Sequence, residues 1–390
     1  PAMTIRATLL ALAAALTLGA QEPVTALVQS IPGETELADP ALPFAKDVWV
    51  ALVRGARTSF DAAEFYVTSR PGSALEPVLA ELEQAGARGV KVRFLLSSKM
   101  LDQDPASVAR LRRIPGAEVR SLDLAPVSRG ILHAKYFVVD GREAFVGSQN
   151  FDWRALEHIH ELGVRTADPR LVAGLAELFA IDWRFAGDGR LPAFPAQAAP
   201  AARPAAELVA SPPFLTPKTI RPAIEALVEL LGQAKTSVRV QLLTYSPLAG
   251  QDRYWPRLDD ALRAAAVRGV KVRLLVSDWV LGGRALPHLK ALTLLPNLEV
   301  RVASIPEAQE GHIPFARTVH SKYLVVDEAH LALGTSNWEE SYFTESRNLE
   351  LIFRDSPLAA QAARIHDRLW NSRYATPLDP VKTYEKRKVD

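Results

Sequence analysis

The chain has 390 residues, 48% of them hydrophobic and 23% charged, with a formal net charge of +2. That length suits two fused domains, and the composition supplies cores for both and excludes a disordered chain. So small a net charge excludes a bulk-basic nucleic-acid binder, so any groove for an anion must be local, and the absence of cysteine excludes disulfides, a lipoprotein anchor and thiolate metal sites.

In chain order, residues 1–20 read as a secretory leader. Arg6 follows Met3 closely, an apolar run occupies 7–19, and Ala20 stands before the polar Gln21. Pro1 and Ala2 read as residues added ahead of Met3. The apolar run is too short to span a bilayer comfortably, so cleavage, with no stable membrane span afterwards, and a periplasmic or secreted location are expected. A first half then covers 21–186. It opens with a helix at 43–54, an apolar strand at 59–67, a helix at 75–87 and a strand at 91–96. Residues 187–217 carry seven prolines among many alanines and predict a surface linker. The second half, 218–376, repeats the order with a helix at 222–233, a strand at 237–245, a helix at 258–267 and a strand at 271–276. Residues 377–390 read as a solvated tail. Helices alternating with buried strands indicate α/β architecture, here two similar α/β/α-sandwich halves related by a pseudo-two-fold axis.

Each half closes on one pattern, His-x-Lys-(x)4-Asp-(x)6-Gly-Ser/Thr-x-Asn. The first copy is His133, Lys135, Asp140, Gly147, Ser148 and Asn150, and the second is His320, Lys322, Asp327, Gly334, Thr335 and Asn337, every position displaced by the same interval. In a strand, residues two apart share a face, and Asp140-Gly141 has the chemistry of a hairpin turn. The pattern therefore brings an imidazole, an ammonium, a hydroxyl and an amide to one edge. Two such sets suit attack on a phosphodiester. Lys135 and Lys322 can neutralise the phosphoryl oxygens, with Asn150, Asn337, Ser148 and Thr335 adding hydrogen bonds. One neutral imidazole can attack phosphorus, and the other can protonate the leaving oxygen. Asp140 and Asp327 are grouped with these catalytic motifs, but a hairpin Asp commonly caps its own turn, and both read as supports. Glu161 and Glu350, each in an apolar run, are the candidates to orient the imidazoles. The other histidines, His158, His160, His288, His312, His330 and His366, show no ligand spacing, so no metal or cofactor is expected.

These paired motifs resemble the HKD signature of the phospholipase D superfamily, over essentially the whole chain after the leader. The resemblance implies two halves meeting at one metal-independent site, with His133 as nucleophile forming a phosphohistidine and His320 as acid/base. The blocks at 147–156, 161–164, 253–262, 313–317, 334–338 and 342–345 are further similar to the lysosomal phospholipase D-like 5′ exonucleases. That implies a hydrolase trimming single-stranded DNA or RNA from a 5′-hydroxyl end to 3′-mononucleotides. The chain departs from those relatives in having no cysteine, and it has Asn348 two before Glu350 where the first half has Ile159 before Glu161. Tyr245, Tyr254, Trp255, Phe315, Trp338, Tyr342 and Phe343 cluster in the second half, and Tyr254 and Trp255, flanked by polar residues, are the expected base-stacking pair. The alternative is a phospholipase D or transphosphatidylase acting on phospholipids, since water and an alcohol compete for one phosphohistidine. A catalytically silent binding protein is disfavoured by two complete motifs.

Overall fold

The computed structural model describes residues 25–195, 203–250 and 252–390. The expected leader and the centre of the expected linker lie outside them. The first half runs β1 (Thr25–Ser30), α1 (Ala45–Gly55), β2 (Ser59–Glu64), α2 (Leu75–Ala87), β3 (Lys91–Ser97), α3 (Pro105–Arg113), β4 (Glu118–Leu122), β5 (Tyr136–Val139), β6 (Glu143–Gly147), β7 (Ile159–Thr166) and α4 (Pro169–Asp188). The second runs β8 (Ala206–Ser211), α5 (Ala223–Gln233), β9 (Ser237–Leu242), α6 (Arg257–Val267), β10 (Lys271–Ser277), α7 (Leu286–Leu292), β11 (Leu298–Ala303), β12 (Tyr323–Val326), β13 (His330–Gly334), β14 (Asn348–Phe353) and α8 (Pro357–Trp370).

The strand order is β1-β7-β6-β5-β2-β3-β4 in the first sheet, and β8-β14-β13-β12-β9-β10-β11 recurs as the body of the second. Parallel pairs β2–β3–β4 are joined by helical crossovers, whereas β5, β6 and β7 form antiparallel pairs. The β strands are apolar on both faces because each sheet is covered twice. Leu52, Leu79 and Leu82 of α1 and α2 pack on the outer face of the first sheet, and Leu227, Leu230 and Leu262 of α5 and α6 on that of the second. Between the sheets lies one shared core. Leu175, Phe179 and Ala362 of the central helices α4 and α8 meet Val138, Val146, Val325 and Leu333 from the two sheets there. α4 starts where Asp168 caps the amides of Arg170 and Leu171 ahead of Pro169, and it stops at Gly189, whose φ of 67° ends the helix.

Two expectations are corrected. Residues 206–211 form strand β8, antiparallel to β14, rather than surface linker. No proline falls within this stretch, since Pro204 precedes it and Pro212 follows, so its amides remain free to pair. The end of the chain is not simply solvated: Val389 O accepts the amide of Phe315 at 2.7 Å, and the Arg387 guanidinium meets the Asp278 carboxylate. No helix among the described residues is long and apolar enough to cross a membrane.

Candidate active site

Each motif begins just before a strand, and its backbone is held by the opposite half. The amides of His133 and Ala134 donate to Arg347 O at 2.9 Å each, and that of His320 donates to His160 O at 2.9 Å. The short strand Thr318–Val319 pairs in parallel with Ile159–His160 of β7, so the two halves share hydrogen bonds beside the site. After β5 and β12 the chain turns at Asp140 (φ 54°) and Asp327 (φ 54°), left-handed positions suited to a tight hairpin.

His133 and His320 line one cavity of ≈ 280 Å³, together with Asn150 and Asn337. Both imidazoles are more than nine-tenths buried. Their Nδ1 atoms are engaged crosswise: His133 with Asn348 Oδ1 and His320 with Glu161 Oε2, each at 3.0 Å. The Asn348 amide is fixed by its neighbours, because Nδ2 donates to Tyr342 O and Oδ1 accepts from Thr335 Oγ1, each at 3.0 Å. An acceptor at Oδ1 requires His133 to carry its proton on Nδ1, which leaves the Nε2 lone pair for chemistry. Phe65 and Tyr342 set their rings against the His133 ring at centroid distances of 5.1 and 4.9 Å.

The expected symmetry of the two glutamates is not found. The register that pairs Gly147 with Gly163 also pairs Gly334 with Glu350, so Glu350 occupies the place of Gly163 and Asn348 that of Glu161. Glu350 therefore touches no histidine; it accepts from the Ser336 amide at 3.3 Å, and burial pushes its carboxyl up to about 7. The shared Glu-Leu wording of the two strands hid a two-residue shift, and the constant interval between the motifs, carried on into β7 and β14, would have revealed it.

Lys135 and Lys322 are buried beside the histidines, each donating from Nζ to its own motif's histidine carbonyl at 2.6 Å. Burial lowers Lys135 to about 7 against the pull of Glu64 and Glu161. Burial likewise holds Lys322 far below the usual range, with Lys135 pushing the same way and Glu161 opposing. Desolvation, then the neighbouring ammoniums, keeps His133 and His320 well below the ordinary imidazole value. Glu161 is raised by burial to about 7 against the pull of Lys322. Glu64, absent from the sequence-based candidates, is buried with Oε2 unpartnered and supplies negative charge to Lys135, and Lys322 lacks an equivalent because Leu242 ends the matching strand β9.

Asn150 has a buried Oδ1 without a partner, and Asn337 Nδ2 reaches Tyr342 OH at 3.2 Å. Ser148 and Thr335 were expected to bind phosphate but lie behind the histidines. Ser148 exchanges bonds with Leu162, and Thr335 holds Asn348. Asp140 and Asp327, grouped with the catalytic residues by motif, lie at the far end of the hairpins. Asp140 accepts from the amides of Arg57, Thr58 and Ser59, and Asp327 from those of Lys235, Thr236 and Ser237. The expected stacking pair is also elsewhere: Trp255 is core, stacked on Phe343, and Tyr254 stacks on His288 with its hydroxyl on Asp259 and Asp260. Among the described residues no three His, Asp or Glu side chains are grouped so as to hold a metal ion.

The sequence matches the family described as cardiolipin synthase, PLD-like domain, at residues 50–183 and 227–370. It is 33% identical over 398 residues to the 5'-3' exonuclease PLD3 of Bos taurus, covering 90% of this chain and 80% of that protein. It is 35% identical to phospholipase D Z of Dictyostelium discoideum, covering 87% and 86%. The crystal structure of phosphatidylserine synthase from Haemophilus influenzae Rd KW20 is similar in fold, with a TM-score of 0.63 at 12% identity and 85% of each chain covered.

Proposed function

The chain belongs to the phospholipase D superfamily and is a phosphodiesterase of that class, and from that premise we propose that it is a 5′-to-3′ exonuclease on single-stranded DNA or RNA. The observation that carries this reading is the cavity. At ≈ 280 Å³ it lies near the low end of pockets that enclose a small ligand, about 300–1,000 Å³. Its walls are mostly aromatic and aliphatic, with Phe65, Ile131, Leu243 and Tyr342 among them. One terminal nucleotide fits such a space, whereas an internal cut needs an open groove and a two-chain lipid needs a wider apolar mouth. Similarity to the 5'-3' exonuclease PLD3 supports the same choice.

The unlike partners of the histidines support unlike roles. Burial and the neighbouring ammoniums keep His133 neutral, which is the state of a nucleophile, and the Asn348 amide opposes this only weakly; His320 is held low by the same causes, but the Glu161 carboxylate at its Nδ1 stabilises the imidazolium when it forms, which suits an acid/base. His133 Nε2 attacks phosphorus, the bond from phosphorus to the 5′ oxygen of the second nucleotide breaks, and His320 gives its proton to that oxygen. His320 then takes a proton from water, the water oxygen attacks phosphorus, the P–N bond breaks, and a 3′-mononucleotide leaves. Lys135, Lys322, Asn150 and Asn337 bind the phosphoryl oxygens as charge builds. A duplex end resists because freeing its terminal base costs a few kcal/mol.

The test offers the protein, in chelator, a 5′-hydroxyl single strand, its 5′-phosphorylated form, a circular single strand and phosphatidylcholine vesicles. The expected result is stepwise shortening of the first only, with a nucleoside 3′-phosphoryl adduct, trapped by an alkaline denaturing quench, on a peptide holding His133. Cutting of circles overturns the exonuclease reading. Choline release outpacing trimming establishes the lipid alternative instead.

A further inference from the structure

We propose that Phe315, backed by Trp279, is the platform on which the terminal nucleobase stacks, so that this pair determines recognition of the strand end. The inference rests on the exonuclease reading and adds the residues that hold the base.

The rim of the cavity is not two-fold symmetric. β3 and β10 each end on a serine and continue into a short turn, Ser98–Met100 in the first half and Asp278–Val280 in the second. At the matching step the first half has the exposed Lys99, whose Nζ donates to Arg129 O at 3.0 Å, and the second has Trp279. Trp279 lines the cavity, and Phe315 stands edge to face against it, with centroids 6.4 Å apart at 72°. At this step the second half thus adds an aromatic ring to the cavity wall where the first half has a lysine that does not line it.

Phe315 is unusual in two respects. It is 43% exposed although it lines a cavity, and its φ is 58°, a left-handed conformation that a bulky side chain rarely adopts. Strain of this kind persists only where the surroundings enforce it, and here they do. The Phe315 amide is tied to Val389 O at 2.7 Å. Two residues on, Arg317 shares the strained geometry at φ 52° and is tied through its guanidinium to Pro306 O at 2.6 Å and Gly33 O at 2.8 Å. Arg387 completes the clamp by reaching both the Asp278 carboxylate beside Trp279 and Arg317 O. A solvated loop needs no such ties, and a core aromatic would not remain exposed. An aromatic face held rigidly at a cavity mouth is prepared for a flat partner. Trp279 Nε1, buried without a hydrogen-bond partner, adds an unused donor. A nucleobase offers both a π-face and polar edges, which an acyl chain does not.

The experiment compares a 5′-hydroxyl single strand with the same strand made abasic at its first nucleotide, using wild type, Phe315→Ala and Phe315→Tyr. In wild type, loss of the base is expected to lower kcat/KM by about 5- to 150-fold, mostly through KM. Phe315→Ala should reduce the ordinary strand by the same factor and make the two substrates equivalent, because ring and base are lost from one interaction. Phe315→Tyr should restore the discrimination. Multiplicative losses from the two changes, or undiminished discrimination in Phe315→Ala, overturn the platform while leaving the exonuclease intact. A wild type that trims neither strand overturns the exonuclease reading itself and the platform with it.

Discussion

The residues that differ between the two half-sites carry the chemistry as much as those that repeat. Glu161 and Asn348 hold equivalent places and each reaches across to the other half's histidine, one with a carboxylate and one with an amide. Asn348→Asp should therefore draw His133 toward the imidazolium and remove its lone pair. We expect kcat near neutral pH to fall about tenfold or more, a barrier increase of ~1.4 kcal/mol or above, with the acidic limb of the kcat profile moved to higher pH. An unchanged profile would show that Asn348 does not set the protonation of His133. The lysines test a different balance. Lys322 is 3% exposed, and burial disfavours its charge. Lys322→Met removes that cost and loses one bond to His320 O, worth about 1 kcal/mol. Melting should move up by a few degrees as activity is lost, and a lower melting temperature would show that Lys322 stabilises the folded state.

At the scale of elements, the motifs were legible because β5–β6 and β12–β13 are short hairpins, whose geometry local sequence specifies. Asp140 accepts hydrogen bonds from four donor groups of residues 57–59, the turn leading into β2. Burial opposes its ionisation, but those donors hold its carboxyl below the usual range. Asp140→Ala should cost about 1–3 kcal/mol of stability by denaturant titration while kcat stays within a few-fold, which separates a structural role from a catalytic one. What the sequence could not reveal is long-range. Arg347 is fully buried and donates to both Asp182 oxygens of α4 at 2.7 Å, to Ser211 O at the end of β8 and to Leu215 O beyond it. Its own carbonyl holds the His133 segment. No spacing rule links positions 182, 211 and 347, and the prolines beside 206–211 masked the strand that completes this contact. Asp182→Ala leaves a buried cation unpaired and should cost about 3–5 kcal/mol, with kcat falling as well because His133 loses its anchor. A change of under 1 kcal/mol by denaturant titration would contradict this.

Across the whole molecule, duplication predicts two halves but not how they interlock. Sequence periodicity identified β2, β3, β9 and β10 and the motif hairpins, whereas the edge strand β8, the shared core around α4 and α8 and the crosswise bonds to the histidines depend on pairing between distant segments. Interlocking buries both lysines at the junction, and this sets opposite pH trends for activity and stability. Burial lowers Lys135 from 10.5 to about 7, so in the free enzyme its charge is lost as pH rises through 7 rather than through 10.5. His133, held well below 6.5, remains neutral and nucleophilic into mildly acidic solution. Hence kcat/KM should be greatest below about pH 7 and decline above it. kcat should persist to higher pH, because a bound phosphodiester anion favours the charged lysine. Stability moves the other way. Between about 7 and 10.5 the unfolded chain still protonates this lysine and the folded one does not, so the unfolded state binds more protons and folding gains as pH rises. Profiles of kcat/KM and melting temperature, taken together from pH 7 to 9, should therefore diverge, the first falling and the second rising. A kcat/KM that holds and a melting temperature that stays flat over this range would mean that Lys135 keeps its proton in the free enzyme and that the junction is wetter than its burial indicates.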